Sequence, residues 1–247
     1  MSSILYSKHS GIGRLTLNRP KVRNALDSAA WRALGRAVDR IAADASVRCV
    51  IVSGSGRGFS AGTDVGELAC ATADEARTLA RLENDVLCRV EDLLVPTIAA
   101  VHGFALGGGC EIALACDLRI CDDDVVFGQP EIDLGWIPAA GATFRLPRIV
   151  GDAVAREMIY TGRKVSAGEA FKFGLVNRVA KPGDLDAEVR WLAKQIAAKD
   201  PEAIRAAKAA MSRSADREEA IGREAEALAR LGTSASAQAR IEAFLGR

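Results

Sequence analysis

Apolar and polar residues alternate from Ile4 to Ser7 and again from Ile12 to Leu17, with Ser10-Gly11 between and Asn18-Arg19-Pro20 after, which predicts a β-hairpin. The period then changes. Asp27 precedes Trp31, Leu34, Val38 and Ile41, spaced three and four apart, the mark of a capped helix with one apolar face. Cys49 to Val52 is apolar throughout, as a buried strand is, and a Gly/Ser-rich segment follows from Gly54 to Gly66. Thr72 and Glu75 make a capping box ahead of Leu79, Leu82, Val86, Val90 and Leu93, a helix that Pro96 ends. A second buried strand, Ile98 to Val101, runs through Gly103 to Gly107-Gly108-Gly109 and a short apolar helix, Cys110 to Cys116. Strands are expected at Leu118 to Cys121 and Val125 to Phe127.

From Gly141 onward the pattern becomes mostly helical. A helix is expected over Val150 to Tyr160, then a capping box at Ser166 and Glu169, and a stripe of Leu185, Val189, Leu192 and Ile196. Asp200-Pro201 opens an alanine-rich helical tail from Ala203 to Phe244, part of which is expected to pack on a partner subunit. Strand, strand and helix repeat, with no polar linker between them. This predicts one α/β domain: a core over residues 1–182 and a helical C-terminal extension over 183–247.

Composition narrows the function. Across 247 residues, 33 Lys and Arg balance 32 Asp and Glu without a basic block, so nucleic acid and anionic membranes are not expected partners. No apolar run approaches the ~20 residues of a membrane span, and the start lacks a signal-peptide pattern, so a cytoplasmic protein is expected. Six cysteines without a C-x-x-C pair, and two histidines, read as buried reduced thiols rather than a disulfide frame or metal site.

Glu111 interrupts a helix that is otherwise apolar on every side, where an unpaired carboxylate is costly. Glu131 follows at the end of a strand, beside Pro130. Two carboxyl groups in apolar surroundings can be driven to different pKa values, so that one donates a proton while the other accepts. The triple glycine before Glu111 offers backbone N–H groups that no side chain covers, half of an oxyanion site, and the turn Ser60 to Asp64 can supply the other half. Two decoys share that turn. Gly56-x-Gly58-x-x-Ala61 matches a dinucleotide fingerprint without the helix that should follow it. Gly58-x-Ser60-x-Gly62 matches a nucleophile elbow, with His102 as a nominal base, but lacks the strand-to-helix context.

GFSAGTDVGEL (Gly58 to Leu68) and PTIAAVHGFALGGGCEIALACDLRICDDDVVFGQPEIDLGWIP (Pro96 to Pro138) resemble the two hallmark segments of the crotonase superfamily, the enoyl-CoA hydratase/isomerase family. NRPKVRNAL, LPRIVG and TGRKVSAGEAFKFGLVN extend the likeness over most of the chain. The resemblance implies a crotonase-like spiral of strand-strand-helix turns with a helical C-terminal trimerisation region, assembled as a homotrimer or dimer of trimers. It implies that the N–H groups of Thr63 and Gly108 hold a thioester oxygen, that Glu111 handles water, and that Glu131 exchanges a proton at the α-carbon. It also implies coenzyme A as the substrate's handle rather than a cofactor, with Val22, Ala61, Asp64 and Val65 at its adenine end and Lys21 or Arg23 near phosphate. Two glutamates tilt the reading toward hydration of an enoyl-CoA; isomerisation, thioester hydrolysis, C–C cleavage and non-catalytic acyl-CoA binding are the alternatives. The chain departs from the family pattern P-G-x-G-G-T-Q at Pro138-Ala139-Ala140-Gly141-Ala142-Thr143-Phe144. Two glycines of the pattern are alanine here and its glutamine is Phe144, changes expected to remove room and a polar group beside the acyl pocket. Thr63 also stands where alanine is common in the family's hydratases.

Overall fold

The computed structural model describes residues 2–69 and 72–211. The hairpin forms as β1 (Ile4–His9) and β2 (Ile12–Leu17), antiparallel with His9 opposite Ile12. Helix α1 (Ser28–Ala42) starts where Asp27 accepts the Ala30 N–H at 2.8 Å, and β3 (Cys49–Gly54) follows. The Gly/Ser-rich segment leads into the short α2 (Val65–Ala69), which the sequence pattern did not predict. Next come α3 (Ala73–Glu91), β4 (Thr97–Val101), β5 (Phe104–Leu106), α4 (Gly108–Ala115), β6 (Leu118–Cys121) and β7 (Val126–Gly128). The remainder is α5 (Ala142–Val150), α6 (Asp152–Thr161), β8 (Val165–Ser166), α7 (Ala167–Lys172), β9 (Arg178–Val179), α8 (Leu185–Ala197) and α9 (Pro201–Met211). Both predicted capping boxes, at Thr72 and Ser166, are formed in full.

A six-stranded sheet has the order β1-β2-β3-β4-β6-β9, parallel from β2 onward, and β5-β7-β8 form a second, three-stranded sheet. Strands β3, β4 and β6 are covered on both faces, which is why they read as continuous apolar runs. Val50, Val52, Ala99, Val101 and Cys121 enter the main core with α1, α3 and α4. Cys49, Ile51, Ile98, Ala100 and Ile120 face the other way and meet Val189 and Ala193 of α8, with Leu185, Leu192 and Ile196 packed around them. The predicted apolar stripe of α8 is therefore the lid of this second core. Cys49, Cys110, Cys116 and Cys121 are buried free thiols, and Cys88 is a half-buried one.

Two expectations change. The helix expected over Val150 to Tyr160 forms as α6 but starts at Asp152, because Gly151 takes φ +78°, a backbone region that favours glycine, and separates it from α5, which ends at Val150. Pro147 within α5 lacks an N–H, which obscured that helix in the sequence. The apolar helix after the glycines starts at Gly108, two residues before Cys110, so the N–H groups of Gly108 and Gly109 open its first turn. Past Met211 the predicted helical tail lies outside the described residues. Among the described residues no helix is long and apolar enough to cross a membrane.

Candidate active site

Every residue of α4 is buried, Glu111 included. The helix can sit so deep because its first two residues, Gly108 and Gly109, carry no side chains and its far end is covered by Arg119. That guanidinium donates to the carbonyls of Cys116 at 2.6 Å, Ala113 at 3.2 Å and Leu175 at 2.6 Å. Glu111 Oε1 accepts the N–H groups of Ala140 at 2.8 Å and Ala142 at 2.9 Å, which repays part of the desolvation cost. That cradle is itself braced. Arg145, 3% exposed, donates to the Ala140 carbonyl at 3.0 Å and pairs with Glu91 at 2.9 Å, and Asn84 donates to the Ala139 carbonyl. Burial nevertheless pushes Glu111 up to about 7; the two amides and Arg145 pull it down, and Glu83 pushes it further up.

Glu131 lies on a 3₁₀ turn, Pro130–Leu134, rather than at a strand end, because Pro130 starts the turn and Gly135 ends it in a left-handed conformation. Its carboxylate stands close over Gly107, where an added methyl group would come within 2.9 Å of Oε1. The buried Gln129, with its amide nitrogen turned to the carboxylate, donates to the two oxygens at 3.1 and 3.2 Å. Burial, then the charge of Glu111, pushes Glu131 up to about 7.

The amides expected to meet a ligand oxygen come from different parts of the chain and converge. A methyl group added at Gly108 would stand 2.9 Å from Thr63 Oγ1 and 3.1 Å from Thr63 N. Thr63 is held there by backbone pairing: Leu26 N–H donates to the Gly62 carbonyl at 2.8 Å, and Asp64 N–H to the Leu26 carbonyl at 2.9 Å. Neither the Thr63 nor the Gly108 N–H has an acceptor among the described residues. Ser60, the apparent nucleophile, is fully buried; its hydroxyl donates to the Asn24 carbonyl at 2.8 Å and accepts the Gly62 N–H at 3.0 Å. His102 instead lies with Nε2 3.1 Å from the Gly56 carbonyl oxygen. The elbow-like motif is thus a turn whose serine is committed to the backbone.

One cavity of about 410 Å³ gathers Thr63, Gly107, Gly108, Glu111 and Glu131, with Ala61, Val65 and Ala139 among the other lining residues. Leu134, Trp136 and Ile137 supply much of its apolar wall. Lys21, Val22, Arg23 and Asp64 do not line it. Lys21 and Val22 sit on an exposed 3₁₀ turn, Pro20–Val22, which is tied to the cavity loop through Ala61 N–H and the Arg23 carbonyl at 3.0 Å; Asp64 lies 3.8 Å from Arg19. Phe144 corrects an expectation: it lies on the outer face of α5, 40% exposed with Arg145 over its ring at 4.6 Å, and does not fill the cavity. A larger hollow of about 670 Å³ between β1, β2 and α8 contains none of these carboxylates.

Sequence reasoning missed Glu83. It is 4% exposed, lines the same cavity, and lies with Oε1 2.6 Å from Thr63 Oγ1. The available signal was its position on the apolar stripe of α3, in helical register with Leu79 and Val86. The assembled site can exchange protons near neutrality and can hold an oxyanion on two main-chain donors.

Comparisons with known proteins converge on one family. A family model described as Enoyl-CoA hydratase/isomerase matches residues 7–246. A short-chain-enoyl-CoA hydratase of Clostridium acetobutylicum is 37% identical, covering 99% of this chain and 95% of its own. A crotonyl-CoA hydratase of Syntrophomonas wolfei is 42% identical over 84% of this chain and 80% of its own. The crystal structure of an enoyl-CoA hydratase from Bacillus anthracis superposes with a TM-score of 0.95 at 35% identity, covering 99% of this chain and 96% of the other.

Proposed function

The chain belongs to the enoyl-CoA hydratase/isomerase family, and we propose that it adds water reversibly across the 2,3 double bond of an enoyl-CoA thioester. The observation that carries this reading is the meeting, in one cavity, of the buried Glu111 and the half-buried Glu131 carboxyl groups with two main-chain N–H groups that lack acceptors among the described residues.

The thioester oxygen accepts from Thr63 and Gly108, which draws electron density off the β-carbon. Glu111, aligned by the Ala140 and Ala142 amides, takes a proton from water as its oxygen bonds to the β-carbon. Glu131 gives its proton to the α-carbon, and the enolate charge that builds in between rests on the two amides. One carboxyl group ends with the proton the other has lost, so the pair is reset by a net transfer between them. The raised pKa values suit these roles, since a group near 7 both holds and releases a proton at neutral pH. Coenzyme A is the substrate's handle, and no cofactor is required. Ala61, Asp64 and Val65, with Lys21, Val22 and Arg23 on the adjoining turn, would receive it, and Ala139 would border the acyl group. The same reading includes a homotrimer or dimer of trimers, which a solution mass measurement decides.

The purified protein is expected to bleach the conjugated ultraviolet absorbance of crotonyl-CoA, and Glu131→Gln to abolish that activity. Binding of the thioester without bleaching refutes hydration of that substrate and favours an acyl-CoA-binding role. Release of free thiol or migration of the double bond favours a hydrolase or an isomerase.

A further inference from the structure

Glu83 has no task in the mechanism above, yet α3 places it, almost wholly buried, in the same cavity. Its carboxyl group touches Thr63, the residue that supplies one of the two oxyanion amides. The Thr63 hydroxyl also lies beside the other amide, within 2.9 Å of the space that the missing side chain of Gly108 leaves open. It therefore borders the point at which a thioester oxygen would be held.

A hydroxyl group has one proton to give and can accept others. If Glu83 is ionised, the Thr63 proton is committed to the carboxylate. If Glu83 carries a proton, the carboxylic acid donates to Thr63 Oγ1 and the Thr63 proton is free to turn toward a ligand. Burial pushes Glu83 up to about 7; the Thr63 hydroxyl and the Trp31 indole pull it down, while Glu131 and Glu67 raise it. Glu111 faces it across the cavity as a further like charge, and no Lys or Arg stands among the described lining residues. These surroundings favour the neutral acid once an enolate begins to form.

We propose that the Thr63 hydroxyl is a third donor to the thioester oxygen, with Glu83, in its protonated form, as the positioning residue that frees it. This rests on the hydration reading.

The test is steady-state hydration of crotonyl-CoA by the full chain. Thr63→Ala is expected to lower kcat by about tenfold or more while KM changes by less than about threefold, because the lost donor acts on charge that develops in the transition state. Thr63→Ser restores the rate. Glu83→Leu lowers kcat comparably, and Glu83→Gln, whose amide can donate to Thr63 as the acid does, recovers most of that loss. The double variant Thr63→Ala/Glu83→Leu is no slower than Thr63→Ala alone, as two parts of one relay require. Acetoacetyl-CoA gives a second readout: its bound enolate absorbs in the near ultraviolet, and the band is weaker on Thr63→Ala than on Thr63→Ser. If Glu83→Leu does not fold, Glu83→Gln and the Thr63 pair decide. Wild-type kcat in Thr63→Ala, or additive losses in the double variant, overturn the inference and leave hydration intact. A wild-type chain that hydrates no enoyl-CoA overturns the parent reading, and the inference with it.

Discussion

Consecutive glycines open α4, and one added methyl group separates the part each plays. At Gly108 the methyl would stand 2.9 Å from Thr63 Oγ1, 3.1 Å from Thr63 N and 3.3 Å from Trp31 Cζ2. The shortest contact is to a hydroxyl that can turn away, so the backbone has to yield by only a few tenths of an ångström. Overpacking costs about 1–3 kcal/mol and alanine recovers up to about 1 kcal/mol over glycine in a helix, so Gly108→Ala should cost about 0–2 kcal/mol of stability. In a chain of this size that lowers Tm by under about 8 °C. Catalysis should suffer far more. The methyl fills the space between the two amides, and losing one oxyanion donor costs about 10²–10³ in rate, or about 2.7–4 kcal/mol. Crotonyl-CoA hydration and thermal unfolding on the same preparation are the assay, with kcat/KM expected to fall at least about 100-fold in a folded protein. Gly109→Ala is the contrasting case, since its methyl would meet the Ser60 backbone at 2.4 Å and should prevent folding altogether. Gly168→Ala, with nothing within 4 Å, is the benign control. If Gly108→Ala keeps kcat/KM within about tenfold of wild type, the thioester oxygen is not held at this amide.

Two further measurements probe the buried charges. Burial raises the Glu111 pKa from 4.5 to about 7, so the folded state holds a proton that the unfolded state releases in that window; this contribution to stability is fully present below pH 4.5 and is lost as pH rises through about 7. Glu111→Gln has no such proton to lose, and should gain stability relative to wild type, on the order of a few kcal/mol, between about pH 5 and about pH 8 in urea unfolding; a relative loss would contradict the assigned shift. Arg119→Met leaves the carbonyls of Cys116, Ala113 and Leu175 without their common donor, and should cost about 3–5 kcal/mol in the same assay. A cost below about 1 kcal/mol would show that water replaces the guanidinium.

What the sequence disclosed followed from how local each feature is. The caps at Asp27, Thr72 and Ser166 each involve a side chain and an amide three residues on, and all three form as read. Glu111 and Glu131 stood out because a carboxyl group in an apolar context is conspicuous by its cost. The cradle of Glu111 could not be read, since it depends on Ala140 and Ala142, 29 and 31 residues away, and on a brace from Arg145 that resembles any helical surface arginine in the sequence. Glu83 is hard to read for a different reason: the stripe of α3 is marked in the sequence by its apolar members, and a lone carboxyl group on a charged helix carries no sign that separates a buried position from a solvated one. The position of Phe144 in a motif points to the cavity, but the turn at Gly141 and the start of α5 put it on the outer face.

Charge in the cavity is managed by protons and peptide dipoles rather than by cations. Among the described lining residues there is no Lys or Arg, and Arg145, the cation that lowers the pKa of Glu111, is committed to Glu91 and the Ala140 carbonyl. An enolate formed beside three ionised carboxylates would be strongly disfavoured in so dry a site. Desolvation raises all three carboxyl groups to about 7, and so keeps protons in the cavity at the pH at which they have to move. The same burial that makes Glu111 expensive in α4 thus prevents the site from repelling its own intermediate. An apolar helix entered through side-chain-free glycines serves both ends, since it dries the carboxyl groups and exposes the amide that receives the negative charge.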